Sequence, residues 1–494
     1  MFAGSAANAV RGFFGDDVPS IFESSAKALR SSTQLLFDDR STEGDYVRIA
    51  AAVSICVFCL SHLIVGLWRF DLAKSKPGSL VSSYWLTRVV LVRGMGFIYF
   101  FAFLAAAFQG RALFGSLGLQ PIGLPKSAFD RPVPAFELLQ VLRGGTPTDD
   151  LAIELVSWAG VLLSSLVASG VVTGAMPMAA LWAGYLSIVN LGARVIIGYG
   201  WEWGCLELGF LVMFLCPIFN LSSSFPEKHP TSKIVLWLMR YFVFRLMVGA
   251  GMSKIGKNAS ACWLKFECTA SHYETQPMPS ALAWLFHHLP LQVHKLEGRL
   301  TFVEQLVMPI FVLSPYRAPQ LVVCFLELFF QGALIITGNY AYLNYLAALA
   351  CFACLDDDIL SRVMPASMAK EARRCNEVRH KEAPSSAAAM LRSWQRKAVH
   401  LALFFFIIGK SAAPIKELFT PALWLHFYDD YFFVNAHGLF GFINRHCVVP
   451  AFSGWLENQD RTLLHAAAQF RYHYTHQLCS GHRLYCCKEE IIAR

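Results

Sequence analysis

The sequence predicts an all-α, polytopic transmembrane protein with about nine or ten membrane segments, a structured luminal loop and a short C-terminal tail. Three observations carry this. Of 494 residues, 55% are hydrophobic and 15% charged, whereas soluble domains carry about 25% charged residues. Mostly apolar runs near the length of about 20 residues that a bilayer span needs recur along the chain. The alternating ten-residue stretches of a β-barrel are missing, and a lipid-embedded backbone must then satisfy its own hydrogen bonds as helix.

The first element is a soluble N-terminal arm, residues 1–46. It lacks the apolar core of a signal peptide, and Asp16, Asp17, Glu23, Asp38, Asp39, Glu43 and Asp45 make it too acidic for a mitochondrial presequence. The first membrane segment then acts as an uncleaved signal-anchor. The N-terminal membrane helices fill 47–252, with apolar runs at 47–68, 89–109, 151–174, 178–198 and 232–252. The run 205–219 is short and carries Glu207, so it spans, re-enters or lies at an interface. A polar loop at 253–300 follows. Membrane helices resume over 301–355, with runs at 301–315, 319–337 and 341–355. A charged connector, 356–397, leads to the last membrane helix, 398–416, and a C-terminal tail, 417–494.

The connector holds nine Lys or Arg residues, which by the positive-inside tendency makes it cytoplasmic. Three spans separate it from loop 253–300 and one from the tail, so both belong on the opposite, luminal side. The arm is luminal with ten spans and cytoplasmic with nine. Two N-glycosylation sequons, at Asn220 and Asn258, flank the run 232–252, so at most one is luminal. The charge pattern selects Asn258. The net charge of +8 is spread along the chain and not gathered in a basic block, which gives nucleic-acid binding no support. The partner that composition identifies is the lipid bilayer.

Fourteen cysteines in such a chain do not form a disulfide framework. Seven of them, Cys56, Cys59, Cys205, Cys216, Cys324, Cys351 and Cys354, fall in apolar runs, where a reduced cysteine is a small buried hydrophobe. Cys351 and Cys354 share a C-x-x-C spacing, but within a membrane helix. Cys262 and Cys268 lie in the polar loop and could pair if that loop faces an oxidising lumen.

The stretch 268-CTASHYETQPMPSALAWLFHHLP-290 resembles the signature of the lipase maturation factor family. Further resemblance lies in 84-YWLTRVVLVRGMGFIYFFAFLAAAFQGRALFGSLGLQP-121, 199-YGWEWGCLELGFL-211 and 240-RYFVFRLMVGAGMSKIG-256. It continues in 337-TGNYAYLNYLAALACFACLDDD-358 and 433-FVNAHGLFGFIN-444. The resemblance implies an endoplasmic reticulum membrane protein that assists folding and assembly of secreted lipases, is not an enzyme and needs no cofactor. It implies secreted lipases or other secretory clients as partners. His272, Tyr273, Glu274, Thr275, Gln276, Pro277, His287 and His288 are the family-motif residues. After GLFG the family continues into a luminal domain rich in tryptophan and proline. Here about fifty residues follow, matching poorly beyond QFRYHYT, so the tail is truncated or divergent relative to the family.

Read as chemistry, the same loop leaves alternatives open. His272 or His287 with Glu274 would make an acid–base pair, but no nucleophile or metal triad accompanies them. Pro277, Pro279 and Pro290 instead fix the backbone, and Trp263, Tyr273, Trp284 and Phe286 offer rigid apolar surface. His287 and His288 are adjacent, not the i,i+4 pair that one helix face offers a metal. The tail's His473, His476, Cys479, His482, Cys486 and Cys487 fit no known zinc spacing. Within the membrane, Glu207, Arg240, Arg245 and Glu327 line a transport path or form buried pairs, such as Glu207 with Arg245. No internal repeat accompanies them, which favours pairing. Two rival functions remain: a membrane enzyme distantly similar to vitamin K-dependent carboxylase, and an accessory subunit of a larger membrane complex.

Overall fold

The computed structural model describes residues 79–118, 132–143, 150–192, 200–218, 224–227, 229–255, 261–273, 282–338, 340–381, 387–419, 431 and 433–434. The chain divides into Met1–Leu72 with Leu313–Tyr316, and Ala73–Val312 with Arg317–Arg494. Everything below concerns the second unit. Its described residues form helices and no strands.

In chain order these are α1 (Trp85–Phe114), α2 (Pro134–Arg143), α3 (Asp150–Ser169), α4 (Ala175–Gly192), α5 (Gly200–Met213) and α6 (Lys233–Ile255). Three short helices make the loop: α7 (Ala261–Leu264), α8 (Cys268–His272) and α9 (Ala283–His287), followed by α10 (Leu291–Phe302). Beyond a π turn at Val303–Val307 come α11 (Pro309–Val312), α12 (Arg317–Thr337) and α13 (Leu343–Cys351). Last are α14 (Asp357–Leu360), α15 (Ala366–Lys381), α16 (Ala387–Lys410) and α17 (Ala412–Phe419).

Among the described residues, five helical segments are long and apolar enough to cross a membrane: Trp85–Phe114, Asp150–Ser169, Lys233–Ile255, Arg317–Thr337 and Trp394–Ile415. Ala175–Leu191 and Leu343–Cys354 are shorter apolar helices. The expected nine or ten spans are therefore not reached here. The run 47–68 lies outside the described residues. Of the run 205–219, only residues 205–213 lie in the 14-residue α5. The run 301–315 is broken into the π turn and a four-residue helix opened by Pro309, which has no backbone N–H to continue the ladder. The expected last helix begins earlier than 398, because α16 starts at Ala387 within the basic connector.

At 30 residues, α1 is about 45 Å long and packs along α3. Gly160 of α3 sits on the ring of Phe103, and a Cβ there would run into it; a Cβ on Gly96 of α1 would lie 2.8 Å from the Ala168 backbone nitrogen. Small residues let the two backbones approach this closely. Of the apolar window of α6, 89% is buried, against 33% for α12. The first is a core helix and the second turns much of its surface outward.

The start of α1 is fixed from far along the chain. A helix leaves its first N–H groups without partners. Here the Asp357 carboxylate accepts from the N–H of Trp85 (2.8 Å) and of Leu86 (2.8 Å), and from the Ser83 hydroxyl (2.7 Å). Its neighbour Asp356 accepts from Arg317 through two N–H groups, at 2.7 and 3.0 Å, and from the Ser82 N–H at 3.0 Å. The Thr231 hydroxyl donates to the Tyr84 carbonyl at 2.7 Å. The starts of α1, α6, α12 and α14 thus share one end of the unit. The end of α6, the loop helices and Tyr340, just past α12, share the other.

Candidate functional site

The second end holds the loop, and its core is small and specific. Phe266, Phe302 and Leu306 are buried together, with Met252, Ile255 and Trp263 packed on them. The Cys262–Cys268 disulfide joins α7 to α8. Phe266 between them takes φ +59°, a left-handed conformation costly for an aromatic residue. Its carbonyl presses on α10 at Gly298, where a Cβ would stand 2.7 Å away. Glycine is required there by close approach.

The histidines of this region act on carbonyls, carboxylates and hydroxyls nearby. The Tyr340 hydroxyl lies 2.6 Å from His272 Nε2, with the rings stacked at 6.0 Å. Burial, then the nearby Lys254 cation, lowers the His272 pKa to about 4, so the imidazole is neutral at pH 7 and its Nε2 can accept the tyrosine proton. His287 Nδ1 lies 2.9 Å from the Ala270 carbonyl, and His288 Nδ1 lies 2.7 Å from that of Trp284. His294, deeply buried, places Nδ1 3.0 Å from Glu297 Oε2 and Nε2 3.3 Å from the His287 carbonyl. Tyr273 is buried against Phe286 and His294. Burial, with the Glu297 charge and hydrogen bond, holds its hydroxyl well above the ordinary tyrosine range. Lys254, at the end of α6, donates to Gln305 Oε1 at 2.8 Å and packs on the Trp263 ring.

Of the motif residues, His272, Tyr273, His287 and His288 therefore come together in one packed loop, while Glu274, Thr275, Gln276 and Pro277 lie outside the described residues. So do both sequon asparagines, Asn220 and Asn258, and the tail's histidines and cysteines. Among the described residues, no group of three or more His, Cys, Asp or Glu side chains is placed to hold a metal ion. The intramembrane charges lie elsewhere. Arg245 of α6 contacts Glu207 of α5 as a fully buried ion pair and stacks on Tyr241. Arg240 donates two hydrogen bonds, at 2.9 and 2.7 Å, to the Ala353 carbonyl. Glu327 accepts from Gln331 at 2.6 Å. Sequence reasoning missed His294, Lys254, Tyr340 as the partner of His272, and the aspartates 356–357. Only the three consecutive aspartates ending an apolar helix gave a signal.

Comparison with known proteins identifies the class. Residues 86–362 match the family described as Lipase maturation factor transmembrane domain. Lipase maturation factor 1 of Bos taurus is 33% identical over 384 residues, covering 75% of this chain and 67% of the relative. The protein of that name in Homo sapiens is 33% identical over 373 residues, 74% of this chain and 65% of the relative. Lipase maturation factor 2 of Homo sapiens is 30% identical over 295 residues, 56% and 41% respectively. No solved structure matches. The chain belongs to the lipase maturation factor family, a family of maturation factors and not of enzymes, and is a multi-pass membrane protein. It spans about two thirds of the length of the first group of relatives.

Proposed function

We propose that this chain is an endoplasmic reticulum membrane factor that holds immature secreted lipases until they fold and assemble. Membership of the lipase maturation factor family, over more than half of the chain, is the observation that carries the reading. Loop 253–300 and the tail face the lumen. The Cys262–Cys268 disulfide supports that side, because disulfides persist in oxidising compartments. The motif residues His272, Tyr273, Glu274, Thr275, Gln276, Pro277, His287 and His288 contact the client and keep it from aggregating. The role of these side chains is packing and contact. The described motif histidines already have hydrogen-bonding partners, His287 and His288 within the loop and His272 at Tyr340, which supports a structural use over acid–base chemistry. Asn258 is the glycan acceptor in this orientation.

The test is deletion of the gene, followed by measurement of secreted lipase activity per molecule of lipase. The expected result is a several-fold fall, restored by re-expression of the chain. Unchanged activity per molecule contradicts the proposal.

A further inference from the structure

The loop helices α9 and α10 expose several large apolar side chains. Trp284 is 65% exposed and Leu300 57%, and Leu285 and Leu296 are as open. On α10, the buried stripe is His294, Gly298 and Phe302. Val293, Leu296 and Leu300 occupy another face at i, i+3 and i+7, with Lys295 and Arg299 beside them. Lys295 reaches Glu267 at 3.1 Å. In a helix, an outward apolar stripe flanked by cations is the pattern of a segment lying in the plane of a lipid interface. Left in water, a patch of this kind is an aggregation liability.

A second observation names the occupant. Helix α9 packs beside α12, a 21-residue helix long enough to cross a bilayer. Its inward face carries Cys324, Glu327 and Gln331. Its outward stripe is Val322, Phe325, Leu326 and Phe329, the last 78% exposed, and Ile336 prolongs it toward the loop end. On a helix of span length such a stripe is the surface that lipid tails contact, and α9, which carries the exposed Trp284 and Leu285, packs beside this helix. Trp284 stands on this surface with its ring 4.3 Å from that of His288. Tryptophan concentrates at the headgroup level, where its apolar ring and its N–H are both accommodated.

We infer that α9 and α10 form an interfacial anchor, with Trp284, Leu285, Leu296 and Leu300 inserted at the headgroup–acyl boundary of the bilayer. The cations Lys295 and Arg299 stand at the level of the phospholipid phosphates. The occupant of this surface is the lipid and not a protein client. The anchor holds the disulfide-joined helices α7 and α8 against the membrane, and it does not depend on which client the protein serves.

The full chain is reconstituted into phosphatidylcholine–phosphatidylserine vesicles containing a phospholipid with a diazirine near the carbonyl end of one acyl chain. After irradiation, lipid adducts are mapped by peptide mass spectrometry. Adducts within residues 282–303 as well as 322–336 are expected, the second stretch showing that the protein is inserted. Adducts on 322–336 alone overturn the inference, as does protection of 282–303 that arises only when a secreted client is added. The double variant Trp284→Gln, Leu300→Gln is expected to lose adducts several-fold in 282–303 with 322–336 unchanged. If this variant fails to insert, the wild-type map still decides.

Discussion

His272 shows most clearly what a single side chain does here. Its ring is stacked on Tyr340 and neutral at pH 7, with a pKa lowered to about 4 by burial and by Lys254. A folded pKa below the unfolded value of about 6.5 means the unfolded chain takes up the proton first. Stability from this group is complete above pH 6.5 and is lost as pH falls toward 4, by at most about 3 kcal/mol. The thermal midpoint in detergent is expected to drop between pH 7 and pH 5, and His272→Gln to flatten that dependence; an equal drop in the variant would assign it to other groups. Asp357 is the second such residue. Burial raises its pKa to about 6 against the hydrogen bonds that lower it, so it is ionised at pH 7 and accepts from the first turn of α1. Asp357→Ala leaves those buried donors without their acceptor, which costs about 2–4 kcal/mol. Thermal unfolding measures that loss, and a change under about 0.5 kcal/mol, the scale of ordinary surface substitutions, would refute the capping role. Neither partnership was legible in the sequence. The 337-TGNY run marked Tyr340 only through family resemblance, and no periodicity connects Asp357 to a helix some 270 residues earlier. Long-range pairs of this kind depend on topology, which local pattern does not carry.

At the scale of elements, the sequence was most informative where hydrophobicity alone decides. The runs 89–109, 151–174, 232–252 and 319–337 coincide for most of their length with α1, α3, α6 and α12. Buried charge is legible too: the sequence offers Glu207 and Arg245 as a pair, and α5 and α6 bring them into contact. The break at 301–315 was not, because a π turn inserts one residue without changing composition. Breaking the Glu207–Arg245 pair from one side should be severe. Glu207→Gln or Arg245→Met alone is expected to lower stability by about 3–5 kcal/mol, while an apolar replacement of both costs much less. A double variant as unstable as the singles would refute pairing as the role. The disulfide fixes the loop differently, by closing a short stretch of chain. Cys262→Ser with Cys268→Ser should cost about 2 kcal/mol by the loop-entropy relation. Retention of the full thermal midpoint would show that Gly298 and the Phe266–Phe302 contact suffice.

At the largest scale, the described residues of the second unit have two ends with different chemistry, separated by apolar helices. One gathers the helix starts around Asp356, Asp357 and Arg317 and leads into the basic helices α15 and α16. The other gathers the disulfide, the histidines and the exposed aromatic surface. That polarity was legible as a charge pattern, a basic connector against a loop three expected spans away. The account's central claim is that this second end stands in the compartment where secreted lipases fold. The decisive measurement is labelling of Lys265→Cys, an exposed position between α7 and α8, in a background without other free thiols. An impermeant thiol reagent is applied to sealed microsomes with their cytoplasmic face outward and then to opened ones. A luminal loop is labelled only after opening. Labelling in sealed microsomes would put the loop in the cytoplasm and contradict the claim.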